Sequence, residues 1–117
     1  MKIGVDICEV KRFKEKSIKF YEKIFKNDEI LYAKKYKNYA EHFAGFFCAK
    51  EAIMKAIGVG IDKINVKDIE ILHLKSGKAV VNLSGNAKKI FNSLNEKQIE
   101  ISISHTKEFA VAFAIIY

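Results

Sequence analysis

The sequence FFCAKEAIMKAIGVG, at residues 46–60, predicts the central helix of the fold. Apolar side chains recur in it every three or four residues, which is the spacing of one face of an α-helix. We expect this helix to begin near Ala40 and to end at Gly58, because glycine readily takes the left-handed conformation that closes a helix. The apolar stripe that we expect to face the core consists of Phe46, Ala49, Ile53, Ala56 and Ile57.

Three charged residues interrupt this apolar helix: Lys50, Glu51 and Lys55. We expect them, together with Met54, on or beside the face opposite the apolar stripe. Glu51 and Lys55 are four residues apart, so their side chains lie one turn from each other. One interpretation is a surface ion pair that contributes about 0.3–0.5 kcal/mol and has no further role. The other is that this face is the wall of an active site.

The segments before the central helix predict one strand followed by helical structure. Residues 2–10 alternate apolar and polar side chains, as a strand does. Residues 12–39 carry apolar side chains at helical spacing, with a fresh start at Asn27 or Asp28, either of which can cap a helix.

The segments after the central helix predict two hairpins with a short helix between them. Gly77 lies at the first turn, and Ser84 is a candidate cap of the short helix. The four strands are expected at residues 68–74, 78–83, 100–105 and 109–115. The fold class is therefore α+β, with a mostly antiparallel sheet, one long helix and several short helices.

The composition predicts a single globular domain that spans residues 1–117. Half of the residues are hydrophobic and 30% are charged, which is typical of a folded protein. The longest apolar run, residues 109–117, is too short to cross a membrane as a helix. Asp6 and Glu9 stand where a signal peptide needs apolar residues, so we expect a cytoplasmic protein. Cys8 and Cys48 are expected to be reduced thiols that fill small apolar spaces.

The positive charge of the chain is concentrated in its first third. The net charge is +7, and residues 11–39 hold ten basic and four acidic residues, a local balance of +6. Such a region attracts an acidic partner, which could be a nucleic acid, an acidic protein or a phosphorylated metabolite. The alternative is a solvated, lysine-rich surface without a specific partner.

Two other segments carry groups that suit phosphoryl transfer. The first strand contributes a second carboxylate, Asp6, and the segment SISHT contributes hydroxyl groups and His105. Mg²⁺ is typically held by one or two carboxylates, with water and substrate phosphates as its other ligands. A nearby lysine then stabilises the charge of the transferred phosphoryl group.

Four segments, in order along the chain, resemble the holo-[acyl carrier protein] synthases. IGVDICEVKRF at residues 3–13 resembles the family pattern GIDIVEIxRI, and AGFFCAKEAIMKAIGVG at residues 44–60 resembles AGRFAAKEAxxKAxGTG. GKAVVNLSG at residues 77–85 and ISISHTKEFAVAFAII at residues 101–116 resemble GKPxVxLSG and SISHTxxxAxAxVI. Together they span essentially the whole chain.

This resemblance implies a fold and a reaction. Family members have the 4′-phosphopantetheinyl transferase fold and move 4′-phosphopantetheine from coenzyme A to a serine of apo-acyl carrier protein, for fatty acid biosynthesis. They release adenosine 3′,5′-bisphosphate, need Mg²⁺ and form homotrimers with sites at subunit interfaces. The resemblance implies no nucleic acid or membrane partner.

The resemblance also implies roles for individual residues. Asp6 and Glu51 would hold Mg²⁺, Glu51 would help to deprotonate the serine, and Lys55 would contact the pyrophosphate and the leaving group. Arg12 would contact the acidic carrier protein. The residues that would bind coenzyme A are Lys55, Ser84, Gly85, His105 and Lys37. Two of these have a plainer interpretation: Ser84 as a helix cap, and His105 as a hydrogen-bonded histidine at the end of a strand.

The chain departs from the family pattern at three positions. Phe46 stands where the family has an arginine expected near the 3′-phosphate of coenzyme A, and Lys35 or Lys37 could supply that charge. Val59 replaces a threonine and Ala79 replaces a proline. His42 and His73 match no family motif, and we interpret both as structural or exposed.

A function of another class is a small basic protein that binds nucleic acid through its lysine-rich segment. It explains the charge of residues 11–39 but leaves Asp6 and Glu51 without a role. Salt-sensitive RNA binding without turnover of coenzyme A would distinguish it.

Overall fold

Two antiparallel sheets and four α-helices form the structure, a computed structural model that describes residues 1–117. The strands are β1 (Lys2–Glu9), β2 (Ile69–His73), β3 (Ala79–Leu83), β4 (Ile99–His105) and β5 (Phe109–Ile116). The helices are α1 (Ile18–Glu22), α2 (Asn27–Lys34), α3 (Tyr39–Ile57) and α4 (Gly85–Asn92). The α+β class and its long helix are confirmed. None of the helices is both long and apolar enough to cross a membrane.

The five predicted strands are present, but they divide between two sheets. One sheet has the order β1-β5-β4, and the other contains β2 and β3. The β4–β5 and β2–β3 hairpins follow the prediction. The first and last strands of the chain pair along their whole length, with Asp6 opposite Ala112. This pairing places β5 at the centre of the three-stranded sheet and leaves β1, which carries the N-terminal motif, at its edge.

Helix α3 packs closely on the three-stranded sheet because small residues line the contact. Gly4 on β1 lies so close to the Ala52 carbonyl on α3 that a Cβ atom at position 4 would collide with it. On β5, the small residues that pack against the helix are Ala112 and Ala114, and both are fully buried. This close contact fixes which α3 side chains lie next to which residues of β1.

The predicted helical region at residues 12–39 is interrupted. Val10–Phe13 form a single 3₁₀ turn, after which Glu15 takes a positive φ of 54°. Helix α1 then begins after Ser17, whose Oγ accepts a hydrogen bond from the Phe20 amide at 3.2 Å. A serine cap and a left-handed residue thus break a segment whose apolar spacing is continuous.

One predicted helix cap is wrong, and the other is right in position only. The cap of α2 is Lys26 rather than Asn27 or Asp28, and its amide donates to Glu29 Oε1 at 2.8 Å. Ser84 occupies the cap position of α4, but its side chain does not cap the helix. Ser84 Oγ instead accepts from Lys26 Nζ at 2.9 Å, which links α4 to the start of α2.

The prediction that Lys50 and Met54 lie on the polar side of α3 is also wrong, because both are buried. Lys50 Nζ lies 2.9 Å from Glu29 Oε1 and donates to the carbonyl oxygens of Val66 and Ile69. Burial raises the pKa of Glu29 and lowers the pKa of Lys50. An ion pair of this kind survives burial only with further hydrogen bonds, which the two carbonyl oxygens supply here.

Candidate active site

Strand β1 presents Asp6 to helix α3. Side chains alternate between the two faces of a strand, so Gly4, Asp6 and Cys8 face the helix while Val5 and Ile7 face away. Lys55 Nζ lies 3.1 Å from Asp6 Oδ1 and 3.0 Å from the Val5 carbonyl oxygen. Lys55 on α3 therefore forms an ion pair with Asp6 on β1.

Glu51 lies one turn before Lys55 and adds a second carboxylate to this place. Burial raises the pKa of Glu51, and the negative charge of Asp6 raises it further. Lys55 and Arg12 shift the same pKa downwards, so all four groups lie within electrostatic range of one another. The simple surface pair between Glu51 and Lys55 is absent, since the salt bridge of Lys55 is with Asp6.

The two carboxylates fit a divalent cation that takes its other ligands from elsewhere. The repulsion that Asp6 exerts on ionised Glu51 would be relieved by a positive charge between them. No group of three or more His, Cys, Asp or Glu side chains gathers as a potential metal site in the chain. This donor set matches Mg²⁺, which is commonly held by one or two carboxylates plus water and phosphate oxygens.

Arg12 lies beside this carboxylate cluster, in the 3₁₀ turn after β1. Its guanidinium stacks over the Phe47 ring at 5.1 Å and lies 5.7 Å from the Phe13 ring centre. Stacking on an aromatic face leaves the edge of a guanidinium open to a carboxylate. The chain's only arginine thus lies next to the predicted catalytic residues.

The two cysteines pack beneath Asp6 and Glu51 as free, buried thiols, as predicted. Cys8 lies two residues after Asp6, and Cys48 lies one helical turn before Glu51. Their sulfur atoms are 3.0 Å apart.

His105 lies at a cavity of about 340 Å³ between α2, α3, the β2–β3 turn and β4. Its Nδ1 is 2.8 Å from Glu41 Oε1, so a protonated His105 forms an ion pair there. Asp6, Glu51 and Lys55 do not line this cavity. The three residues at the β1–α3 contact and the His105 cavity therefore form two separate groups on one chain. The side chains that line the cavity include Tyr32, His42, Phe46, His73, Lys78 and His105.

Stacked rings form one wall of the cavity. His73 lies parallel to Tyr32 with ring centres 4.0 Å apart, and His42 stacks on Tyr36 at 4.2 Å. Burial raises the pKa of Tyr32 to about 12, with a contribution from Tyr36, so its hydroxyl stays neutral. Flat rings beside polar groups are suited to a heteroaromatic ligand.

The family model that matches the chain is the 4′-phosphopantetheinyl transferase superfamily, over residues 2–114. The chain belongs to this superfamily. It is 42% identical to the holo-[acyl-carrier-protein] synthase of Clostridium acetobutylicum, over 97% of this chain and 94% of that protein.

Solved structures of the superfamily have the same fold. A holo-(acyl-carrier-protein) synthase from Bacillus anthracis, in complex with CoA (3′,5′-ADP), is 37% identical with a TM-score of 0.81. That match covers 98% of this chain and 94% of the other. The Helicobacter pylori synthase in complex with coenzyme A is 32% identical with a TM-score of 0.84, over 98% and 99% of the two chains.

The other residues predicted to bind coenzyme A lie outside the His105 cavity. Lys37 lines a neighbouring cavity of about 310 Å³ with Lys14 and Lys107. Ser84 and Gly85 follow the end of β3, whereas Ala79, at its beginning, lines the His105 cavity. Roles for these residues in binding coenzyme A stay predictions.

Two cavity residues, His42 and His73, were missed by the motif comparison. Both are half-buried in the cavity wall rather than fully exposed. The sequence holds one signal for His42, since it stands four residues before Phe46 and so lies on the same face of α3. His73 carries no such signal, because its place depends on how the β2–β3 hairpin packs against α2.

Proposed function

We propose that this chain, acting as a single domain, transfers 4′-phosphopantetheine from coenzyme A to a serine of apo-acyl carrier protein, and so serves fatty acid biosynthesis. The observation that carries the proposal is the meeting of Asp6, Glu51 and Lys55 at the β1–α3 contact. Membership of the 4′-phosphopantetheinyl transferase superfamily supports it.

The reaction needs a nucleophile, a leaving group and compensation of charge. The serine oxygen bonds to the phosphorus next to the pantetheine, and the bond to the other phosphate breaks, which releases adenosine 3′,5′-bisphosphate. Asp6 and Glu51 are the residues that would hold Mg²⁺, which supplies charge compensation at the pyrophosphate when bound.

The chain's own residues provide the remaining steps. Lys55, held in place by Asp6 and the Val5 carbonyl, offers its ammonium group to the pyrophosphate and to the charge that builds on the leaving phosphate. Glu51 accepts the serine proton, directly or through a water molecule. Both groups lie on successive turns of α3, so the helix sets the distance between them.

The cavity at His105 is suited to the nucleotide end of coenzyme A. It combines stacked rings, Lys78 and the imidazoles of three histidines. The relatives whose solved structures contain coenzyme A have the same fold as this chain. When the pyrophosphate lies at Lys55, the adenosine of the same coenzyme A molecule has to extend to the His105 cavity, which Lys55 does not line.

A second copy of the chain would bring the two groups together. The outer face of the β1–β5 pair is apolar and exposed: Val5 is 53% exposed and lies opposite Phe113, which is 39% exposed. Ile3, Ile7 and Val111 extend the same face. An exposed patch of this kind favours association. We propose a homotrimer in which each site takes carboxylates from one subunit and a cavity from its neighbour.

The basic first third of the chain would receive the carrier protein. Residues 11–39 have a balance of +6, and Arg12 lies beside Glu51 at the edge of this surface. An acidic partner is drawn to such a surface before it makes specific contacts. The carrier serine would then arrive next to the carboxylates.

The proposal is tested by mass spectrometry of an apo-acyl carrier protein incubated with the enzyme, coenzyme A and Mg²⁺. We expect the mass of the carrier to rise by one phosphopantetheine group, and to stay unchanged when a chelator replaces Mg²⁺. An unmodified carrier in the complete mixture would overturn the proposal.

A further inference from the structure

The His105 cavity contains three histidines and no arginine. His42, His73 and His105 all line it, and the only arginine of the chain lies beside Glu51 instead. Phe46 stands in the cavity wall with 2% of its surface exposed, so it adds an apolar ring and no charge. An anionic ligand would therefore meet imidazoles, whose charge depends on pH, and the ammonium group of Lys78.

The ring nitrogens of both His42 and His73 have no protein partner, but only His42 lies against His105. His42 lies on α3, one turn before Phe46, with its ring 5.3 Å from the His105 ring. His105 is already paired with Glu41, whereas neither nitrogen of His42 bonds to a protein group. Because no buried side-chain nitrogen or oxygen atom in the chain lacks a hydrogen-bond partner, the His42 nitrogens must be accessible to solvent.

The charged and titratable groups around His42 come from each neighbouring element. Burial lowers the pKa of His42, His105 and His73 lower it further, and Glu41 raises it. An entering anion acts in the opposite direction and favours the protonated ring. The groups are Glu41 on α3, Tyr32 on α2, Lys35 and Tyr36 just after α2, His73 on β2, Lys78 in the β2–β3 turn and His105 on β4.

The anion that remains for this cavity follows from the proposed function. Coenzyme A carries a pyrophosphate and a 3′-phosphate. The pyrophosphate belongs with Asp6, Glu51 and Lys55, none of which lines the cavity. The 3′-phosphate on the adenosine is the charged group left to be recognised.

We propose that His42 is a specificity-determining residue that binds the 3′-phosphate of coenzyme A in its protonated form, so that the preference for a 3′-phosphorylated donor weakens as the pH rises. The inference rests on the proposed function and adds to it a pH-dependent choice of donor. An arginine would keep its charge over the whole range and give a constant preference. Lys78 contributes a pH-independent part, so the preference falls to a lower level without vanishing.

The first test compares kcat/KM for coenzyme A and for 3′-dephospho-coenzyme A between about pH 6.5 and about pH 8.5. A phosphate monoester is mostly dianionic over this range, since its second pKa is about 6. We expect the ratio of the two values to fall with pH, by at most about tenfold per pH unit for one coupled proton. In His42→Gln, we expect a low ratio with little dependence on pH. Lys89→Gln on α4, outside the cavity, is the control and should follow the wild type.

The second test measures proton uptake directly, so it holds even if His42→Gln folds poorly. Adenosine 3′,5′-bisphosphate is titrated into the wild-type enzyme by calorimetry in two buffers with different ionisation enthalpies. We expect binding to take up protons from the buffer near neutral pH, and adenosine 5′-monophosphate to bring about less uptake.

A ratio that stays constant with pH in the wild type, or a folded His42→Gln variant that keeps the wild-type slope, would overturn the inference. So would equal proton uptake with the two nucleotides. In each of these cases transfer from coenzyme A itself still occurs, so the proposed function stands. Absence of any transfer from coenzyme A would overturn both the inference about His42 and the proposed function.

Discussion

Asp6 and Lys55 join the first strand to the long helix, with Lys55 Nζ 3.1 Å from Asp6 Oδ1. The two residues are 49 positions apart in the chain, so their contact depends on the packing of α3 against β1. Gly4, two residues before Asp6, permits that packing because its lack of a side chain lets the helix approach. Glu51 joins the pair from the preceding turn of the same helix.

The first prediction concerns the two carboxylates. Asp6→Asn and Glu51→Gln should each lower kcat by about 10²-fold or more, because each removes a proposed Mg²⁺ ligand without changing the shape of the side chain. Both variants should stay folded by circular dichroism. Glu96→Gln, at the N-terminal amine and away from α3, is the matched control and should keep wild-type turnover. Normal turnover in either site variant would contradict the assignment.

The second prediction concerns the buried ion pair. Lys50→Met should lower the free energy of unfolding by about 3–5 kcal/mol, because it leaves the Glu29 carboxylate buried without its cation. Combining it with Glu29→Met should recover part of the loss, although the Lys26 and Ile71 amides then lose their acceptor. Urea denaturation of the two variants measures both values. A single variant as stable as the wild type would show that the pair is dispensable.

Lys50 and Glu51 are neighbours in the sequence, and together they show which features of the site the sequence predicts and which it does not. Helical spacing predicted α3 correctly, and family motifs selected Asp6, Glu51 and Lys55, which the structure brings together. Spacing alone placed Lys50 on the polar side, because its partner Glu29 belongs to another helix that the pattern of α3 does not contain.

Contacts between distant elements account for what could not be predicted. His73 reaches the cavity only because the β2–β3 hairpin packs against Tyr32 of α2. The division into two sheets likewise depends on the pairing of β1 with β5 at opposite ends of the chain. Local spacing carries no information on either arrangement.

The third prediction concerns the carrier-binding surface. Arg12→Ala should raise the KM for apo-carrier protein and leave the KM for coenzyme A nearly unchanged, because the lost contact is with the protein substrate. Added salt should have the same effect on the wild type, since exposed charge pairs are screened over about 8–10 Å at ordinary ionic strength. Arg12→Lys keeps the charge without the planar fork and should lie between the two. Equal changes in both KM values would contradict this division.

The fourth prediction concerns assembly. Val5→Asp places a charge at the centre of the exposed apolar face and should shift the protein from trimer to monomer, with loss of transfer activity. Light scattering coupled to size-exclusion chromatography measures the mass. Leu31→Asp, at a similarly exposed apolar position on α2, is the control and should stay trimeric. A Val5→Asp monomer with full activity would show that one chain holds a complete site.

The fifth prediction concerns Phe46. Phe46→Arg should raise the preference for coenzyme A over its 3′-dephospho form and make that preference less dependent on pH, because a permanent cation then stands in the cavity wall. It should also lower the melting temperature, since the Phe46 ring packs 5.7 Å from Tyr32 and 5.5 Å from His73. Donor ratios and thermal melts measure the two effects. A folded variant with an unchanged ratio would show that position 46 does not face the 3′-phosphate.

Both products of the proposed transfer can be followed in one reaction. Wild-type enzyme, apo-carrier protein, coenzyme A and Mg²⁺ are mixed, and phosphopantetheinyl-serine and adenosine 3′,5′-bisphosphate are quantified together by mass spectrometry. Transfer at the Asp6–Glu51–Lys55 site predicts that the two products appear in equal amounts with the wild type and with Glu96→Gln, and that Glu51→Gln forms both at least about 10²-fold more slowly. Nucleotide release without a modified serine, or equal yields from Glu51→Gln, would contradict it.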